Sequence, residues 1–195
     1  VNGAPISGAS ATTDGTGDFA FCLPAGSIYT PYLQAANYPP SYLAQQNGPP
    51  PQEWIGLVST DTLGAVSGFL AGNFDASKGV LAVFFSTYTH PTCNDQSGWS
   101  VTLSLPDGGA FPDGGYLISY LGNSGLPDSS LTATTTSGSA IAYDIDTSIS
   151  NYVAVSVSNP DAGVCEVQIA QFGETGLVYV AGNALSYFAP HLVEQ

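Results

Sequence analysis

Nucleophilic catalysis needs a serine, threonine or cysteine beside a base that a third group orients. This chain holds two histidines, His90 and His191, and no Gly-x-Ser-x-Gly elbow. Both read as ordinary surface histidines, His191 lying near the last residue. His90-Pro91-Thr92-Cys93 has a metal-like spacing, and Cys165 would add a second sulfur. Zinc takes four ligands, however, and blue copper often takes a methionine, which this chain lacks. These residues therefore speak for bridging and binding rather than turnover, and the chain is expected not to be an enzyme.

Three cysteines allow one disulfide and one leftover thiol. Cys165 shares the inward face of its strand with Val167 and Ile169, while Cys93 opens the loop before Trp99. A core-facing cysteine beside a loop cysteine predicts a Cys93–Cys165 bridge. Cys22, alternating with Phe21 and Leu23, is expected to pack between layers.

Calcium is the one cofactor these residues could hold. Asp14-Gly15-Thr16-Gly17-Asp18 resembles half of a calcium loop, and Asp144 and Asp146 fall on one face of a strand. The competing readings are a glycine-rich turn for Asp14 and Asp18 and a solvated strand face for Asp144 and Asp146. Aromatic side chains give the stronger signal, with 11 Tyr and 2 Trp. Tyr29, Tyr32, Tyr38, Tyr42 and Trp54 alternate with prolines and amides and carry no charge before Glu53. Such a group suits a ligand or interface surface, because rings bury area or stack on sugars while hydroxyls keep a polar partner. Trp99, entering a strand after Gly98, reads as core.

The elements that must position these residues are strands. In Tyr152 to Val157 the positions Val153, Val155 and Val157 share one face, and Tyr152, Ala154 and Ser156 the other. Similar runs occupy Asp18 to Leu23, Val80 to Thr87, Ser100 to Leu105, Tyr116 to Tyr120, Ala140 to Asp146, Cys165 to Ala170 and Leu177 to Ala181. Turn clusters such as Pro106-Asp107-Gly108-Gly109 separate them. The spacing predicts an all-β, antiparallel sandwich of two packed β units. One weak helix is expected over Asp61 to Ala71, with Asp61 as N-cap and Leu63, Val66 and Leu70 on its apolar side. Pro49-Pro50-Pro51 marks a linker, dividing the chain into residues 1–52 and 53–195.

Composition restricts the partners. Across 195 residues, 15 acids face a single base, Lys78, for a net charge of -14. Neutralising phosphates takes several Lys or Arg side chains, so nucleic acid is excluded as a partner, and anionic membrane surfaces on the same ground. No run approaches the ~18 apolar residues that a membrane span needs, so no membrane insertion is expected. With 44% hydrophobic and 8% charged residues, the chain folds and presents a Ser-, Thr-, Asn- and Tyr-rich surface, which points outside the cell.

Gly3-Ala4-Pro5-Ile6-Ser7-Gly8-Ala9, then Thr13-Asp14-Gly15-Thr16-Gly17-Asp18-Phe19, then Leu23-Pro24-Ala25-Gly26 before Tyr29, resembles the carboxypeptidase regulatory-like (transthyretin-like) sandwich domains of secreted bacterial proteins. The resemblance implies a non-catalytic module and brings no ligand or catalytic residue with it. That family carries a full strand before the first of these turns, whereas Val1 and Asn2 alone precede it here. An open sheet edge is therefore expected, with few lysines to guard it. The expected function is a secreted, non-enzymatic structural or adhesive subunit. It would self-associate into filaments by strand exchange, with residues 185–195 of a neighbour as donor. The alternative is a carbohydrate-binding module that meets a glycan with its surface Tyr and Trp.

Overall fold

In the computed structural model, which describes residues 10–16, 20, 22–47, 57–70, 74–87, 93–112, 114–168 and 174–194, the chain is almost entirely β. The elements are β1 (Ile28–Tyr29), β2 (Tyr32–Leu33), β3 (Ser41–Asn47), α1 (Thr60–Ser67), β4 (Gly79–Phe84), β5 (Ser86–Thr87), β6 (Ser100–Ser104) and β7 (Leu117–Leu121). They continue with β8 (Pro127–Asp128), β9 (Ser139–Ile145), β10 (Tyr152–Ser158), β11 (Cys165–Gln168), β12 (Glu174–Tyr179), β13 (Leu185–Phe188) and β14 (His191–Glu194). The large sheet runs β6-β10-β12-β3-β13-β4-β9-β7-β8, with β1 and β2 also paired to β3, and a small sheet runs β11-β14-β5. Strands from both sides of residue 52 share the large sheet. No described helix is long and apolar enough to cross a membrane.

The sandwich-like all-β architecture agrees with the alternation in the sequence, but the sheet is mixed rather than purely antiparallel. Strand β13 runs parallel to both β3 and β4, and β14 runs parallel to β5. The cause is the connection between β3 and β4. It passes through α1, and a helical crossover joins strands that point the same way. Periodicity reports which face a residue takes and is silent on strand direction.

Apolar residues at consecutive positions mark the strands covered on both faces. In β4, Leu81 and Val83 enter the main core while Val80 and Ala82 enter a second cluster; in β9, Ala140 and Ala142 face the first and Ile141 and Tyr143 the second. The second cluster lies against the α1 region, whose Val66 and Leu70 pack on it with Leu57 and Val58. The Tyr187 hydroxyl accepts the Val58 N–H at 2.8 Å and ties this cover to β13. Helix α1 is capped by Ser59, whose Oγ accepts the Thr62 N–H, and not by Asp61, which sits in the first turn. Ser59 has the extended backbone that an N-cap requires, and Asp61 instead favours the positive helix end.

Among the named strands the edge strand β6 pairs with β10 alone, yet its outward side is not bare, and Ser104 also forms an isolated antiparallel bridge with Ala110. Val101 N–H donates to the Tyr120 hydroxyl at 2.9 Å and Leu103 N–H to the Tyr116 hydroxyl at 3.2 Å. At its ends, Trp99 N–H donates to Thr134 Oγ1 at 3.0 Å and Leu105 N–H to the Gly109 carbonyl at 2.7 Å. Tyr116 and Tyr120 project from the β7 side of the fold, so two separated parts of one sheet meet through side chains. Trp99, Val101, Leu103 and Tyr120 are all part of the core that this contact closes.

Residues 185–195, expected as a donor to a neighbour, are used at home: β13 is internal to the large sheet and β14 to the small one. Cys22 is free and exposed rather than packed between layers, because described residues 20 and 22–24 belong to no strand and alternation has no sheet there to act on. The Gly3 to Ala9 motif, Asp18, Trp54 and His90 lie outside the described residues.

Candidate functional site: a row of tyrosines

Four tyrosines from four strands, each strand hydrogen-bonded to the next, form a continuous row. Tyr32 on β2 is the register partner of Tyr42 on β3, and Tyr152 on β10 is that of Tyr179 on β12. Cross-strand partners bring their side chains together, so both ring pairs follow directly from register. Ring centres are 5.0 Å apart for Tyr32–Tyr42, 4.7 Å for Tyr42–Tyr179 and 5.2 Å for Tyr152–Tyr179. These distances approach the spacing of neighbouring strands, about 4.8 Å. Interplanar angles of 64° and 70° set edge against face for Tyr42–Tyr179 and Tyr152–Tyr179, an arrangement that adds roughly 0.5–1.5 kcal/mol per pair beyond area burial, while Tyr32 and Tyr42 are tilted at 43°. Burial raises the Tyr42 hydroxyl above its ordinary range, and the neighbouring Tyr179 and Tyr32 raise it further. Tyr42 therefore presents an uncharged phenol at neutral pH.

The sequence identified half of this row. Tyr32 and Tyr42 belong to it, and Tyr32 is 48% exposed. Tyr29 is buried on β1, where desolvation raises its hydroxyl, and Tyr38 is exposed in the turn after β2. Tyr152 and Tyr179 were not among the sequence candidates, although the alternation in β10 already placed Tyr152 opposite the buried Val153 and Val155.

Cys93 and Cys165 are bridged with their Cα atoms 5.6 Å apart. Beside the bridge is a small cleft of about 130 Å³, lined by Asp95, Ser97, Trp99, Asn159, Asp161 and Cys165. Its polar groups are engaged locally: Asp95 accepts the Ser97 N–H, and Asn159 accepts the Asp161 N–H while donating to the Ser97 carbonyl. His191 is not a surface histidine but a buried residue of β14, 3% exposed, because β14 lies between β11 and β5.

The acids considered for calcium hold turns. Asp14 Oδ1 accepts from the Thr16 N–H and hydroxyl, and Asp146 Oδ1 from the Ser148 N–H and hydroxyl. Asp144 sits at φ 54°, beside a register shift in the β4–β9 pairing, and accepts the Asp75 N–H. Asp146 follows the end of β9, so the two are not successive same-face positions of a regular strand. Among the described residues no three His, Cys, Asp or Glu side chains form a group that could hold a metal ion. Asp-x-Ser or Asp-x-Thr recurs at Asp14, Asp75, Asp95, Asp128 and Asp146, a local signal that the sequence reading passed over.

These turns predict a pH dependence. The Ser hydroxyl first, and the N–H of the same serine second, lower the carboxyls of Asp75, Asp95, Asp128 and Asp146. A depressed folded-state pKa contributes stability above the unfolded value, about 3.9, and loses it as pH falls through the lower folded value. Acidification also relieves the self-repulsion of a chain at -14, so the turn contribution is read from a difference. The urea midpoint of wild type is expected to exceed that of Asp128→Asn/Asp146→Asn at pH 7, with the gap shrinking below about pH 4. A gap that persists unchanged at the acid end would refute the assignment.

Neither the protein-family models, nor the curated proteins, nor the solved structures contain a match to this chain.

Proposed function

We propose that this chain is a secreted, non-enzymatic structural or adhesive subunit of the carboxypeptidase regulatory-like kind, and that it associates through the tyrosine row. The observation that carries the reading is the row itself: four tyrosine rings in successive contact across β2, β3, β12 and β10. Tyrosine-rich, charge-depleted patches are what protein interfaces concentrate at their centres. The edge-to-face contacts of Tyr179 with Tyr42 and Tyr152 support a protein partner over a stacked sugar, since an edge lodged against a face leaves that face covered. The Cys93–Cys165 bridge is compatible with an oxidising compartment.

Two copies at -14 each repel, so association between identical chains is expected to strengthen with salt. Sedimentation velocity and electron microscopy at low and physiological ionic strength test this. Wild type is expected to assemble with concentration and Tyr42→Ala/Tyr179→Ala to remain monomeric and folded; a double variant that assembles like wild type overturns the reading. The half-exposed ring of Tyr32 favours one second reading, contact with a neutral glycan. In that case Tyr32→Ala abolishes glycan-array binding by a chain that stays monomeric throughout.

A further inference from the structure

We infer that Tyr116 and Tyr120 are an edge guard, whose hydroxyl oxygens hold β6 against antiparallel pairing with β6 of a second copy. The inference is independent of the function proposed above. Strand β6 ends the sheet order, and an edge strand with free N–H groups is a template for another chain. Here the alternate N–H groups from Trp99 to Leu105 all have acceptors, and the two central ones are the phenol oxygens of Tyr120 and Tyr116. Proteins commonly blunt such an edge with lysine, but this chain has one lysine, Lys78, which lies just before β4.

The occupant the guard excludes follows from the strand's own sequence. Ser100-Val101-Thr102-Leu103-Ser104 reads nearly the same in both directions about Thr102. An antiparallel β6–β6 pair centred there sets Val101 opposite Leu103 and Ser100 opposite Ser104. The inner apolar face of one strand then meets that of the other in register, as a two-fold contact requires. In that pair the N–H groups of Val101 and Leu103 would reach the neighbour's carbonyls, the same groups that Tyr120 and Tyr116 now occupy. Val101 and Leu103 are themselves buried, so losing both acceptors leaves two buried donors and a drive toward any replacement.

The test is Tyr116→Phe/Tyr120→Phe, which keeps the rings and removes the acceptors, made in a Tyr42→Ala background so that association through the tyrosine row does not intrude. Amide exchange at Val101 and Leu103 is expected to rise by about tenfold relative to Thr102 in the monomer at low concentration. At higher concentration a dimer is expected by sedimentation velocity. Adding Thr102→Lys, which sets two like charges at the two-fold axis, is expected to return the protein to monomer. Unchanged exchange at Val101 and Leu103, a variant as monomeric as its parent, or a dimer indifferent to Thr102→Lys each overturns the inference. If the double variant does not fold, Tyr120→Phe alone is judged by the same readouts.

Discussion

Truncation after Ala184 is expected to yield a chain with no cooperative unfolding transition and no near-ultraviolet dichroism. Residues 185–188 lie between β3 and β4, with Leu185 opposite Ser41 and Val80, and Tyr187 opposite Leu43 and Ala82. Their removal opens two central strands along the same line. It also takes Leu185 and Tyr187 from the cluster beneath α1 and Phe188 and Leu192 from the main core. Trimming one such buried side chain to alanine costs about 2–5 kcal/mol, so losing four, about 8–20 kcal/mol, is as large as the roughly 5–15 kcal/mol that holds a domain together, before the lost strand pairing is counted. A graded version is Phe188→Ala, expected to lose about 3–5 kcal/mol in urea denaturation. A peptide of residues 185–195 added in trans is expected to restore the transition, because it supplies the missing ladder. A truncated chain that unfolds cooperatively by itself would show that β13 is dispensable, and would reopen these residues as a donor to a neighbour.

What could be read in advance divides along physical lines. Alternation was legible wherever one face is buried and the other wet, as in β10, where Val153 and Val155 are buried and Tyr152, Ala154 and Ser156 are not. It failed where burial depends on distant neighbours. Strand β3 carries Gln45, Gln46 and Asn47 beside prolines and reads as a polar connection, yet Ser41, Ala44 and Gln46 are buried because strands pair with it on both sides. Strand β13 is four residues long with a buried serine, and only its position between two strands makes it internal. The tyrosine row shows the same limit: Tyr32 and Tyr42 are ten residues apart, but Tyr179 joins them solely through the pairing of β12 with β3. The acceptors on the outer side of β6 are phenols 13 and 19 residues away, which alternation within the strand does not signal.

Loss of the Cys93–Cys165 bridge is expected to remove a large share of the stability. The bridge spans 72 residues of sequence, enclosing β6 to β10, and closing a loop of that size in the unfolded chain is worth about 4 kcal/mol. In the folded state it fastens β11 of the small sheet to the loop that leads into Trp99, and Cys93 is itself part of the main core. The backbone joining the two sheets is short at two places, Phe85 between β4 and β5 and Ala189-Pro190 between β13 and β14. Reduction, or Cys93→Ala/Cys165→Ala, is therefore expected to lower stability by about 2–5 kcal/mol and the melting temperature by roughly 4–20 °C for a chain of this length. The small sheet is expected to loosen first, with amides of β11 and β14 exchanging faster while those of β4 and β9, covered on both faces, stay protected. Uniform loss of protection across both sheets would show that the bridge acts on the unfolded chain alone. An unchanged melting temperature in the double alanine variant would show that burial of the two sheets against each other already suffices without it.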